Sequence, residues 1–110
     1  MATTMQNNSP FLGTELKLNI NIEPMDSITM DDYDFEVEVY CSVKRIVTVL
    51  KKDAIRIDEN NYVILVDTME TGAGDLKCRV TAYIPDEDFD DGLRTEVVGI
   101  DTGINIIKQI

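Results

Sequence analysis

The sequence predicts an all-β fold: a single antiparallel β-sandwich of the immunoglobulin-like kind with seven or eight strands. Short segments in which apolar and polar residues alternate recur roughly every 8–14 residues along the chain. Gly, Pro and Asn residues separate these segments. No segment keeps a helical 3.6-residue period over about ten residues. The chain has no Trp, so the Cys–Trp–Cys framework of antibody domains is absent and only the architecture is predicted.

Two clean alternations open the domain. The segment TELKLNINIE, residues 14–23, and the segment DFEVEVYCS, residues 34–42, both have a period of two, which predicts strands with one buried face. The residues expected on the buried faces are Leu16, Leu18, Ile20 and Ile22 in the first strand, and Phe35, Val37, Val39 and Cys41 in the second.

The middle of the chain predicts three more strands and a turn. VKRIVTVLKK, residues 43–52, is rich in β-branched residues, and AIRI, residues 54–57, is short enough for an edge strand. YVILVD, residues 62–67, is almost continuously apolar and predicts a further strand. METGAGD follows and is interpreted as a hairpin loop, because Gly72 and Gly74 can adopt positive φ.

The last third predicts three strands. LKCRVTAYI, residues 76–84, alternates again, and Pro85 is expected to end this strand because it has no backbone N–H to donate. Its expected inward residues are Leu76, Cys78, Val80, Ala82 and Ile84. TEVVGI and GINIIKQI are predicted as two further strands, separated by residues 101–103.

The domain organisation follows from these segments. Residues 1–12 are polar and are predicted to be a flexible N-terminal arm, and residues 13–110 are predicted to be the immunoglobulin-like β-sandwich domain. The final strand is apolar and is either the last core strand or a strand offered to a neighbouring subunit. The candidate assembly residues at the two termini are Phe11, Leu12, Ile106, Ile107 and Ile110.

Charge and composition exclude several classes of function. The chain carries 21 acidic and 10 basic residues, a net charge of −11, which disfavours binding to nucleic acid or to an anionic membrane. It has no His, the commonest general base and metal ligand, so no enzyme activity and no cofactor are expected. The N-terminus lacks the features of a signal peptide, so we expect synthesis in a cytoplasm, with export only within a larger particle.

Cys41 and Cys78 are the only thiols. Both fall in the inward phase of predicted strands, so they could form a disulfide or could be two buried, reduced thiols that pack as small apolar side chains. The second alternative is favoured, because so sparse a pair does not suggest a disulfide framework.

The acidic stretch in YIPDEDFDDGLRTE, residues 83–96, is the main candidate site. It lacks the EF-hand register, because Gly92 comes one position late and Glu96 one position early. Three interpretations remain: a docking loop for a basic partner, a solvated loop tied back by Arg94 to one aspartate, or a looser Ca²⁺ site. The candidate docking residues are Asp86, Glu87, Asp88, Asp90, Asp91 and Arg94; no residue is assigned to a metal.

The string AYIPDEDFDDGLRTEV at Ala82–Val97 also resembles a family. Together with Met30–Val39, Tyr62–Thr68 and Gly72–Ile104, it is similar to small virion proteins of tailed phages and prophages of gut Bacteroidetes, including the crAss-like phages. The likeness covers about two-thirds of the chain.

The resemblance implies a structural role rather than catalysis. It implies a head-fibre or capsid-decorating component that contacts other virion proteins of the capsid, fibre or tail. A homo-oligomer in the particle is expected, as is a location in the virion after synthesis in the cytoplasm of a bacterial host. The alternative from the residues alone is a soluble β-sandwich that binds Ca²⁺ or carbohydrate.

Overall fold

The computed structural model describes residues 10–22, 30–31 and 33–108, and it confirms an all-β sandwich. Seven strands form two antiparallel sheets, a three-stranded sheet in the order β1-β5-β4 and a four-stranded sheet in the order β3-β2-β6-β7. The strands are β1 (Glu15–Asn21), β2 (Asp34–Tyr40), β3 (Val47–Leu50), β4 (Ile55–Arg56), β5 (Asn61–Asp67), β6 (Gly74–Pro85) and β7 (Leu93–Ile106).

The core lies between the sheets; the residues that the period-two patterns place inward form much of it, and Met30, Tyr33 and the inward residues of β5 complete it with Ile106. In β6, all five residues expected to point inward are buried, and the strand ends at Pro85 as predicted. Leu18 and Ile20 of β1 are buried too, while Leu16 and Ile22 pack against the core from its edge. Phe35 and Tyr62 meet edge to face, with 5.0 Å between ring centroids, and join the two sheets.

Strand β5 differs from the expectation for a continuously apolar segment. Tyr62, Ile64 and Val66 are buried, but Leu65 points to the outer face and is 58% exposed. The three-stranded sheet has no described layer over its outer face, so β5 alternates like the other strands.

The third strand is shorter than predicted. Only Val47–Leu50 pairs with β2, and a single 3₁₀ turn, Lys51–Asp53, follows it. From this turn, Nζ of Lys51 donates hydrogen bonds to the carbonyl oxygens of Met30 and Tyr33. This side chain therefore fixes the entry into β2.

The interpretation of METGAGD as a hairpin loop was wrong. The segment joins β5 in one sheet to β6 in the other, so it crosses the sandwich instead of returning along the same sheet. It begins with one helical turn, α1 (Thr68–Thr71), whose N-cap Asp67 accepts a hydrogen bond from the N–H of Met69 at 2.9 Å. Gly72 and Gly74 do adopt positive φ, as expected.

The prediction of two final strands was also wrong. One continuous strand, β7, spans 14 residues and pairs with β6 over most of its length. The register shifts between Asp75 and Lys77, and the additional residues of β7 are absorbed there. Thr102 anchors the irregularity, since its hydroxyl donates to the carbonyl oxygen of Leu76 at 2.7 Å.

The first and last described segments of the chain meet at the end of β7. Phe11 forms a parallel bridge with Ile107, in which the N–H of Leu12 donates to the Ile107 carbonyl and the N–H of Ile107 donates to the Pro10 carbonyl, both at 2.8 Å. Residues 10–12 of the predicted arm are thus paired; residues 1–9 and Ile110 lie outside the described residues. Ile106 is in the core and Leu12 packs against it, whereas Phe11 and Ile107 remain exposed.

Candidate functional site

The acidic loop connects β6 to β7 and is a compact turn. The N–H of Asp86 donates to the Gly92 carbonyl at 2.9 Å, and the N–H of Gly92 donates to the Phe89 carbonyl at 2.8 Å. Gly92 adopts φ +76°, a conformation that favours glycine, and this lets the chain turn into β7.

The loop carboxylates have different roles. Asp86 accepts from Nη1 of Arg94 at 3.0 Å through one oxygen and from the N–H of Asp88 at 3.0 Å through the other. Asp91 accepts from the N–H of Leu93 at 3.0 Å. The predicted link between Arg94 and one aspartate is therefore present. Glu87, Asp88 and Asp90 are exposed to solvent.

The described carboxylates do not converge on a cation. Among residues 10–22, 30–31 and 33–108, no group of three or more His, Cys, Asp or Glu side chains is placed to hold a metal ion. The oxygens of Asp86 and Asp91 instead serve hydrogen bonds that shape the turn. The geometry thus gives the Ca²⁺ interpretation no support in the described part of the chain.

A second acidic segment lies at the same pole. Asp34 opens β2 directly opposite Tyr83, close to the end of β6, so the start of β2 and the acidic loop share one end of the four-stranded sheet. There the hydroxyl of Tyr83 donates to Glu36 at 2.6 Å, and this hydrogen bond raises the pKa of the phenol. Nearby, Asp31 is paired with Arg56 at 2.7 Å, which lowers the pKa of that carboxyl.

The middle of strand β7 holds a further set of residues, which sequence reasoning did not single out. Val98 and Ile100 face Val80 and Cys78 of β6 across the strand pair, and residues opposite each other share a face of the sheet. Yet Val98 is 56% and Ile100 40% exposed, against 7% for Val80 and 1% for Cys78. The three-stranded sheet therefore does not extend beneath the middle of β7.

The exposed apolar strip is defined by Val97, Val98 and Ile100. Val97 points to the outer face, so the strand is accessible from both sides over this stretch. The only sequence signal was the segment TEVVGI itself, which predicts a strand. Whether its inner face is covered depends on the reach of the opposite sheet, which local patterning does not encode.

Both cysteines are free, as favoured from the sequence. Burial raises the pKa of the Cys78 thiol to about 11. Cys41 follows the end of β2, is only partly buried, and directs its Sγ at the Gly72 carbonyl at 3.3 Å. Its pKa is raised as well, mainly by burial, so neither thiol is activated as a nucleophile.

Comparisons with protein-family models, with curated proteins and with solved structures give no match for this chain. Within the described part of the chain, no helix combines the length and apolar character needed to cross a membrane.

Proposed function

We propose that this protein is a structural component of a phage particle and acts through protein–protein contacts, as a head-fibre or capsid-decorating component. The observation that carries the proposal is the exposed apolar strip on β7. Neighbouring apolar side chains exposed on one face of an edge strand, as Val98 and Ile100 are, are typical of an interaction surface. The proposed partners are other virion proteins, and no catalytic step is assigned to the chain.

Two features of the same region support the proposal. The string that resembles phage virion proteins, Ala82–Val97, spans the end of β6, the acidic loop and the start of β7, and it reaches the strip at Val97. The acidic loop lies next to the strip along the chain. Exposed clustered charge mainly sets the rate and orientation of association, while apolar contact supplies affinity.

The alternative of a Ca²⁺-binding or carbohydrate-binding module has no comparable support. The loop oxygens of Asp86 and Asp91 are used within the turn. The aromatic side chain exposed in the loop is Phe89, and a lone phenylalanine is a small platform for a sugar ring. We therefore propose only the role in the phage particle.

The test is to detect the chain in purified particles. Particles from a host that carries the gene are isolated on a density gradient and analysed by mass spectrometry, with the soluble host fraction as the control. We expect the chain to co-purify with the particles in a fixed ratio to the major capsid protein. Particles that lack the chain while the soluble fraction contains it would overturn the proposal.

A further inference from the structure

We propose that the free edge of β7 accepts an extended strand of another protein, one with alternating apolar side chains and with Lys or Arg at its ends. The added strand extends the four-stranded sheet by one strand and packs its apolar side chains beside Val98 and Ile100. The inference rests on the proposed function and deepens it by stating the partner's chemistry and its mode of binding.

The backbone of β7 is available for pairing. The strand is last in the order β3-β2-β6-β7, and among the described residues its outer edge is paired only beyond its end, where Ile107 meets residues 10–12. The stretch Leu93–Asp101 therefore presents a row of backbone N–H and C=O groups, which is the template for strand addition.

Two apolar side chains of this stretch are exposed to solvent. Val98 and Ile100 lie on the inner face with no opposite sheet beneath them, as their exposure shows. Between them, Gly99 has open space around its α-carbon on the outer face. A strand added to this edge places every second side chain beside the two exposed apolar residues on the same face of the four-stranded sheet.

The edge also lacks most of the usual protection against strand pairing. Natural sheets block an exposed edge with Lys, Pro, an inward charge or a bulge. Between residues 95 and 100, β7 has no Lys and no Pro. Its one charge, Glu96, lies opposite the buried Ala82 and so on the inner face, where its carboxylate is 3.6 Å from Nη2 of Arg94. The irregularity in pairing with β6 comes later, opposite Asp75 and Lys77. A strand edge with so little protection is expected at a site that pairs with a strand of another protein.

The charges around the edge of β7 determine which kind of partner strand it favours. Asp90 and Asp91 precede the stretch and Asp101 ends it, while Glu96 lies in its middle. The cation within the stretch, Arg94, pairs with Asp86 at 3.0 Å and with Glu96 at 3.6 Å, so the unpaired negative charge lies at the ends of the stretch. The stretch Leu93–Asp101 is therefore flanked by negative charge at both ends, and a strand with basic end residues is complementary to it.

The same charges disfavour a second copy of the chain. Two copies of β7 can pair about a twofold axis only in antiparallel fashion, which carries the acidic loop of one copy toward Asp101 and Asp75 of the other. Each copy also has a net charge of −11. The chain's own residues 1–9 contain no Lys or Arg, so they are not electrostatically complementary to this edge of β7 either.

A synthetic peptide tests the inference on the full chain. The probe is acetyl-Lys-Thr-Val-Thr-Val-Thr-Val-Lys-amide, and the control replaces both Lys residues by Glu. Titrations are followed by fluorescence anisotropy and by NMR amide exchange. We expect the Lys peptide to bind, to weaken as NaCl is added, and to protect amides within residues 93–101. The Glu peptide should bind at least about tenfold more weakly.

Variants test the location. The double variant Val98→Thr/Ile100→Thr removes apolar surface from the strip, and Leu65→Thr removes a comparably exposed side chain from the outer face of the other sheet. The double variant should lose at least about tenfold in affinity for the Lys peptide, whereas Leu65→Thr should bind like the wild type. Circular dichroism and thermal melting check that both variants remain folded.

Several outcomes overturn the inference. They are no binding of the Lys peptide at about 1 mM, equal binding of the Glu peptide, or a footprint outside β7. Reversible self-association that the double variant abolishes would assign the edge to a second copy. Protection of β7 amides in the free chain that disappears when residues 1–9 are deleted would assign it to the chain's own segment. None of these results affects detection in particles, so the proposed function is judged separately.

Discussion

Asp86 is the loop carboxylate on which the turn most depends. It is half-buried, and it accepts hydrogen bonds from both the Arg94 guanidinium and the backbone N–H of Asp88. Asp90, two residues before Gly92, is exposed and accepts no described hydrogen bond. Two acids in one charged run therefore contribute in opposite ways: one organises the turn, and the other adds repulsion.

We predict that Asp86→Asn lowers the free energy of unfolding by about 0.5–1.5 kcal/mol, because the partly buried charge pair with Arg94 is lost. Asp90→Asn is the matched control and should change stability by less than about 0.5 kcal/mol in either direction. Urea unfolding monitored by circular dichroism measures both. Equal effects of the two substitutions would contradict the assignment of a structural role to Asp86.

The Cys78 thiol gives stability a pH dependence. Burial raises its pKa from 9.0 to about 11, so the folded state holds this proton over a range in which the unfolded state releases it. The stabilising contribution is complete below about pH 9 and is lost as the pH rises toward 11. We predict that Cys78→Ala shows a smaller loss of stability over this interval than the wild type, as measured by urea unfolding at a series of pH values.

The comparison with Cys78→Ala is necessary because the phenol of Tyr83 also titrates in alkaline solution with a raised pKa. That contribution is common to both proteins and cancels in the difference. Identical pH profiles for the two proteins would contradict the prediction.

Some residue-level features follow from sequence and others do not. Alternation placed Cys78 inward, and a basic residue next to a run of acids made a link to Arg94 foreseeable. Which aspartate Arg94 pairs with depends on the hydrogen bonds of the turn, such as the bond from Asp86 to Gly92. Those bonds form between residues whose spacing in the turn the charge pattern does not specify.

At the scale of elements, the strands with two distinct faces were predictable. β1, β2 and β6 alternate cleanly because each lies between the core and solvent, so the pattern and the burial have the same cause. METGAGD was recognisable as a turn from its glycines. Its crossing to the other sheet was not, since local turn chemistry does not state which sheet the next strand joins.

The apparent break in β7 shows the limit of turn signals. Asp101, Thr102 and Gly103 are typical turn residues, yet β7 continues through them. Pairing with β6 on both sides of the irregularity outweighs their local preference. The turn chemistry persists inside the strand, because the N–H of Gly103 donates to the Asp101 side chain at 3.0 Å.

We predict that Gly103→Ala destabilises the protein by about 1 kcal/mol, because φ at this position is +74° and an alanine is strained there. Gly99→Ala, in the same strand but without a positive φ, is the control and should be neutral or stabilising by up to about 1 kcal/mol. Thermal melting of both variants tests this. A neutral Gly103→Ala would argue against the irregular conformation of β7.

At the scale of the whole molecule, the unequal sheets account for the exposed strip. Four strands face three, so the edge strand of the larger sheet extends past the core at Val98 and Ile100. The sequence predicted the number of strands but not their division between the sheets, and this division decides which apolar residues are left exposed.

We predict that salt stabilises the domain without any specific effect of calcium. The net charge of −11 repels itself in the compact state, and about 0.1–0.5 M NaCl screens that repulsion, so the melting temperature should rise. CaCl₂ and MgCl₂ at equal ionic strength should give the same melting temperature. An additional rise with Ca²⁺ alone would reveal a specific site and would support the Ca²⁺-binding alternative.

The parallel bridge between Phe11 and Ile107 has a mechanical consequence. The two paired segments run in the same direction, so the chain enters on one side of the bridge and leaves on the other. A pull that separates the chain ends therefore loads both hydrogen bonds, Leu12 to Ile107 and Ile107 to Pro10, in shear at the same moment. Bonds in this arrangement break together rather than one after another, so this bridge is the point at which the domain resists a pulling force.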